Sequence, residues 1–273
     1  MSAYPSAAPP SYQRPPSPNK GVNASTEPLL GQSSRSGGGI YDQPESGDLP
    51  DDFKYGVSVY DSSPEIRNAF VRKVYTILFA QLLGTTIVGA YMQQTHASAW
   101  IQDNVWAFYT AMIGSLVSLG FLYWKRHSHP INMILLSVFT LFEAFTLGIV
   151  VGFYDQVIVL QAIIITLGVF LGLTLFTFQS KYDFSSMGTY LFGGLLVLIM
   201  TGLVGMFIPF GKTMDLIYAI GGTLLFSGYI VYDTFLITKK LSPDESIMAA
   251  ISLYLDFINL FLSILRLLNN VED

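Results

Sequence analysis

The 273-residue chain contains no cysteine, which excludes disulfides, thiolate metal sites and cysteine nucleophiles. Charge is scarce: Asp, Glu, Lys and Arg make up 12% of residues, where soluble domains carry about a quarter. Basic residues are outnumbered, and a net charge of -5 argues against a nucleic-acid partner, which selects for clustered positive charge. The histidines His96, His127 and His129 have no ligand spacing, so no metal site is expected on them. The start MSAYPSAAPP has no apolar run behind a basic cluster, so no cleaved signal peptide is expected. Insertion would then fall to the first transmembrane helix. What is abundant is apolar surface: 51% of residues are hydrophobic and the mean hydropathy is +0.48. Several uninterrupted stretches near 20 residues long make an all-α polytopic membrane protein the expected fold class.

Residues 1–52 hold nine of the thirteen prolines, mixed with Ser and Gly. Such a segment buries too little apolar surface to offset its ordering entropy, so a disordered cytosolic tail is expected. Within it, Pro9-Pro10-Ser11-Tyr12 resembles the PPxY ligand of WW domains, which dock polyproline segments on aromatic grooves. A WW-domain ubiquitin ligase is the partner this motif suggests. The Asn23 sequon is expected to stay unused on the cytosolic side. Residues 53–273 form the transmembrane domain. A lead-in at 53–73 offers Ser63 as a helix cap with Pro64 in the first turn and Glu65 near the positive end. Spans follow at 74–94, 104–124, 131–153, 156–178, 187–209, 214–236 and 246–268. Their short connections force neighbours to run antiparallel.

Lys and Arg set orientation. Arg67, Arg72, Lys73, Lys125, Arg126, Lys181, Lys239 and Lys240 fall on the tail side, against Lys212 alone on the other. The N-terminus is therefore expected in the cytosol. The acidic C-terminus lies on the far side if the last segment spans, and in the cytosol if it re-enters. Gly168 and Gly172, four apart, form a small-residue pattern that lets helices approach closely.

Few ionisable residues lie within the spans. Asp256 stands inside the last one, with Asn259 a turn later and Arg266 near its end; Asp233 closes the sixth and Glu143 lies in the third. A carboxylate at membrane depth costs at least ~2.5–3.5 kcal/mol on insertion scales, so it should face protein or water. The segment bearing Asp256 is therefore expected at the centre, with the other helices around it. Ser242-Pro243-Asp244-Glu245 reads as a capping box that starts the seventh helix. Counting from it, Asp233 and Asp256 share a depth only if that helix protrudes by about two turns, so a facing pair is compatible with the spacing without being demanded by it. Facing carboxyls would share a proton and titrate as a pair, a latch sensitive to pH. Their oxygens would also suit transient calcium. Arg126 could pair with one carboxylate in a closed state. The structural alternative for each acid is a hydrogen bond to Asn, Tyr or Ser on a neighbouring helix, with Thr146 the local partner for Glu143.

FSGYIVYDTFLI at 226–237 and LYLDFINLFLSILRLL at 253–268 resemble the signature pair of the Bax inhibitor motif (Lifeguard-like) family. VRKVYTILFAQLLGT at 71–85, FEAFTLG at 142–148 and TGLVGMF at 201–207 follow the same family in order, and the tail with DFKY at 52–55 looks most like fungal members. The resemblance implies seven helices with the last central, and a calcium leak gated by a di-aspartyl pH sensor on Asp233 and Asp256. It places the sensor's arginine on Arg126, while Glu143 departs from the bacterial pattern. It further implies no enzyme, no cofactor beyond calcium as permeant ion, and an endoplasmic reticulum, Golgi, vacuole or mitochondrial membrane, with roles in restraining cell death and in the unfolded-protein response. One alternative is a non-conducting interaction protein that binds death or stress regulators. Another is an intramembrane aspartyl protease using Tyr232-Asp233 and Asp256, but the remaining elements of such enzymes do not occur in the sequence.

Overall fold

The computed structural model describes residues 58–95, 100, 101 and 103–272. The expected tail, its WW-ligand residues Pro9, Pro10 and Tyr12, the Asn23 sequon and His96 lie outside them. Among the described residues, seven long α-helices follow in order: α1 (Pro64–Gln94), α2 (Val105–Trp124), α3 (Ile131–Val151), α4 (Gln156–Gln179), α5 (Met187–Phe207), α6 (Lys212–Lys239) and α7 (Ser246–Glu272). Each is long and apolar enough to cross a membrane, and among the described residues there is no strand. The protein is an integral, multi-pass membrane protein. Only helices keep every backbone N–H and C=O satisfied within one segment, which lipid demands.

Local signals account for several ends. Ser63 Oγ accepts the Ile66 amide at 3.4 Å with Pro64 in the first turn, as expected. The lead-in and the first span are one continuous helix, however, because nothing after Pro64 interrupts the pattern. Asp155 caps α4, accepting from the Val157 amide at 2.8 Å. Before α5, Asp183 accepts from the Ser185 amide and hydroxyl at 2.9 and 2.5 Å, and those two bonds hold its carboxyl below the usual carboxylate range. The expected capping box is not made. Pro243–Glu245 form a 3-10 turn instead, and Ser242 Oγ has no partner.

α7 is the centre of the bundle. Leu253, Tyr254, Leu260 and Leu265 have no exposed surface, and the helix packs against α6, α1, α4 and α3. Edge-to-face rings fix two of these contacts, Tyr254 on Phe139 of α3 at 6.0 Å and Phe257 on Phe170 of α4 at 5.5 Å. The other helices turn large apolar side chains outward, among them Leu116, Ile164, Val197 and Leu224; these meet lipid tails. α5 is the extreme case: it buries Leu191 alone and leans chiefly on α6. Lipid is as apolar as leucine, so these helices are held by close packing and polar contacts rather than by transfer from water. Glycine works at specific contacts. A Cβ on Gly222 would come within 2.5 Å of Ser263 Oγ, and one on Gly228 within 2.8 Å of Leu191, so the α6–α7 and α6–α5 contacts need bare backbone there. Gly168 and Gly172 instead face outward with open space at the Cβ position, so their pattern packs nothing within the chain.

The question of re-entry is decided by α7 itself. It runs unbroken from Ser246 to Glu272, about 40 Å at 1.5 Å per residue, and its last turns reach the first turn of α6 through Arg266 and Asn270. Its two ends therefore lie at opposite ends of the bundle.

Candidate functional site

The α6–α7 pair carries the site, and its register explains why. The contacts Asp233–Ser252, Gly222–Ser263 and Asp215–Asn270 step back equally along both helices from the connecting turn. Asp256 is one helical turn beyond Ser252, about 6 Å deeper than the level of Asp233. Side chains on a helix lean toward its N-terminus. On antiparallel helices that tilt carries Asp233 deeper and Asp256 back toward the turn, so the two converge. Their carboxyl groups lie within hydrogen-bonding reach of each other, and Ser252 is within reach of Asp233. No protruding helix is required.

Asp256 is buried, with 6% of its surface exposed, and Asp233 is half-buried. Tyr229 and Tyr232 stand nearby on α6. No basic side chain acts on either carboxyl among the described residues. Asp256 Oδ2 is buried with no hydrogen-bond donor against it. A carboxylate cannot donate, so the contact between the two becomes a hydrogen bond only when one of them carries a proton.

The remaining expected residues are placed elsewhere. Arg126 lies in the turn after α2, its guanidinium over the Tyr123 ring at 4.9 Å and Nε donating to His127 Nε2 at 2.9 Å; it is not brought to either aspartate. Glu143 Oε1 accepts from Ser115 of α2 at 2.7 Å. Thr146, its expected partner, donates to the Phe142 carbonyl instead, the usual outcome for a hydroxyl facing its own helix. Asn259 likewise donates to the Leu255 carbonyl of its own helix at 2.8 Å. A polar layer between α1, α3 and α7 was not anticipated: Gln81 donates to Thr140 at 3.0 Å, and Thr85 and Tyr254 hydroxyls meet at 2.8 Å. Among the described residues, no group of three or more His, Asp or Glu is placed to hold a metal ion, so two carboxyls alone would meet a calcium ion, which takes six to eight oxygens.

A second polar cluster ties the same two helices at their other end. Arg266 donates through Nε and Nη2 to Asp215 Oδ1, and Asn270 Nδ2 donates to Asp215 Oδ2 at 2.6 Å. The Arg266 guanidinium also covers the Tyr218 ring at 4.7 Å. Asp215 and Asn270 were missed in the sequence because both sit at helix ends, where polar residues are ordinary. The available signal was the spacing of Arg266 and Asn270, four apart on one helix face.

With this geometry in place, comparison with known proteins is informative. A sequence profile described as "Inhibitor of apoptosis-promoting Bax1" matches residues 67–273. Mouse protein lifeguard 4 is 45% identical over 225 residues, covering 82% of this chain and 94% of its own length. Bax inhibitor 1 of Schizosaccharomyces pombe is 45% identical over 224 residues, 82% of this chain and 84% of its own. A Golgi anti-apoptotic protein of vaccinia virus is 46% identical over 221 residues, 81% of this chain and 93% of its own. The match covers every helix described above, the paired aspartates included, and the chain belongs to the Bax inhibitor family, Lifeguard proteins among them.

Proposed function

We propose that this chain is a pH-sensitive calcium leak of an intracellular membrane that restrains cell death, gated by Asp233 and Asp256. The observation that carries the reading is the pair of carboxyls in contact on the central helix and its partner, one of them buried with an oxygen that lacks a donor. Protonated once, the pair is a hydrogen bond that joins α6 to α7. Ionised twice, it sets two negative charges in contact with no basic side chain among the described residues to offset them, and like charges in contact repel strongly in a low dielectric. The helices then separate at this level, and two carboxylates stand ready for a hard cation. The groups that face the pair, Ser252, Tyr229 and Tyr232, bring hydroxyls and no basic side chain, so the aspartates themselves are the switch. Arg126 is left out of the gate because it is engaged with Tyr123 and His127.

The names of the yeast and viral relatives support the cell-death role, and the viral relative's name supports a Golgi-type membrane. The Lys and Arg bias supports a cytosolic N-terminus, with the α6–α7 turn on the same side. A WW-domain ligase at Pro9-Pro10-Ser11-Tyr12 would then be reachable from the cytosol.

The test is calcium entry into liposomes carrying the purified protein, from about pH 6 to pH 8, for wild type, Asp233→Asn and Asp256→Asn. The reading expects flux that rises with pH in wild type and loses that dependence in both variants. Flux no greater than in empty liposomes at every pH would sink the channel and leave an interaction protein.

A further inference from the structure

The helices around α7 do not close into a ring. α6 touches both α1 and α4, and α1 touches α3, but α4 shares no extended contact with α1 or with α3, although α3 and α4 are consecutive. The gap is a groove of ≈ 160 Å³ whose floor is α7 itself, at Phe257, Ile258 and Phe261. One wall is α1 with the end of α3; the other is α4, through Val159, Ile163 and Leu167. Its polar groups ask for no polar ligand: Thr85 is bonded to Tyr254, and Thr86 to the Leu82 carbonyl. Gln93 lines it toward the end of α1.

We propose that this groove holds one acyl chain of a bilayer lipid, which completes the wall beside the central helix. Three observations fix the occupant. The groove is continuous with the lipid-facing surface, since Leu167 of its wall and neighbouring Ile87 and Ile164 are exposed apolar residues. Its length fits a single leaflet: Leu82 to Gln93 spans about 16 Å along α1, against about 15 Å for half a hydrocarbon core. Its polarity fits too, with Gln93 at the outer rim and Phe257 at the inner end, so the chain lies tail-inward. Leu147 and Val151 near the end of α3, and Val159 near the start of α4, place it in the leaflet away from the α6–α7 turn. This inference stands independently of calcium flux.

The experiment uses the full chain in phosphatidylcholine liposomes containing a trace of phosphatidylcholine with a photoactivatable diazirine midway along one acyl chain. Adducts are mapped by peptide mass spectrometry. Wild type is expected to carry adducts on Phe257, Ile258 or Phe261, buried residues of the central helix, as well as on exposed residues of α5 such as Val197. Gly89 lines the groove with open space at its Cβ position, so Gly89→Phe is the substitution that directs a large side chain into the groove. It is expected to lose the α7 adducts and keep those on α5. Leu167→Trp fills the groove from the opposite wall and serves the same purpose if the first variant does not fold. Wild type labelled on α5 but not on α7 would overturn the proposal. So would α7 adducts that persist in a folded filled variant, or protein–protein adducts at the groove, which would assign it to a second copy of the chain.

Discussion

The two ends of the α6–α7 pair are held by opposite chemistry. Near the connecting turn, two carboxyls meet with no basic side chain acting on them among the described residues. At the other end a carboxylate takes a guanidinium and an amide. Acid acts on them in opposite senses. Protonating the dyad supplies the hydrogen bond it needs, whereas protonating Asp215 removes the charge that holds Arg266. On the proposed reading, the Arg266 end is the fixed joint while the dyad opens and shuts. The difference teaches how one helix pair could be both firmly joined and, as proposed, switchable: complementary charge makes the joint, and like charge would make the switch.

Breaking the joint should have the largest effect on stability. Arg266→Gln leaves Asp215 with Asn270 as its remaining side-chain partner among the described residues and should cost about 1.5–3 kcal/mol, the range for a hydrogen bond to a charged group. A lowered thermal unfolding midpoint in detergent is the check, and an unchanged midpoint would remove the joint from the comparison. Forcing the helices apart between the two ends comes next. Gly222→Leu drives a side chain into Ser263 and should cost about 1–3 kcal/mol from overpacking, lowering the midpoint while shifting the pH dependence of flux as well.

Sharpening the comparison needs a change at the dyad that spares stability. Asp256→Asn supplies a permanent donor to Asp233, so the midpoint should stay close to wild type at low pH and exceed it at high pH, where the wild-type pair is doubly ionised. A midpoint that falls at every pH would mean that the dyad is a purely structural contact. The smallest effect is expected outside the pair, at Asp183→Ala. That carboxyl is held below its ordinary range by Ser185, so its contribution is present above the ordinary carboxylate pKa and fades as pH drops through the lowered one. Thermal midpoints of wild type and variant should therefore converge in acid, with flux unaffected throughout.

Sequence alone determined the number and order of the long helices, because an apolar run near 20 residues has one stable solution in lipid. It left their ends open: α1 starts at Pro64, ten residues before its expected span, and the capping box expected to start α7 is not made. It also determined that the helix bearing Asp256 lies at the centre, since an acid at that depth has nowhere else to go. What only the tertiary structure decided were the partners. Spacing left Asp233 and Asp256 as a pair of unequal depth, and the convergence of side chains on antiparallel helices brought them together. Spacing gave Glu143 to Thr146, and packing gave it to Ser115. Gly168 and Gly172 matched a packing pattern yet face outward, while Gly222 and Gly228 carry the close contacts. Depth and hydropathy are properties of one segment and are written along it. Which faces meet depends on how neighbouring helices rotate and tilt, and that is settled only when all seven pack at once.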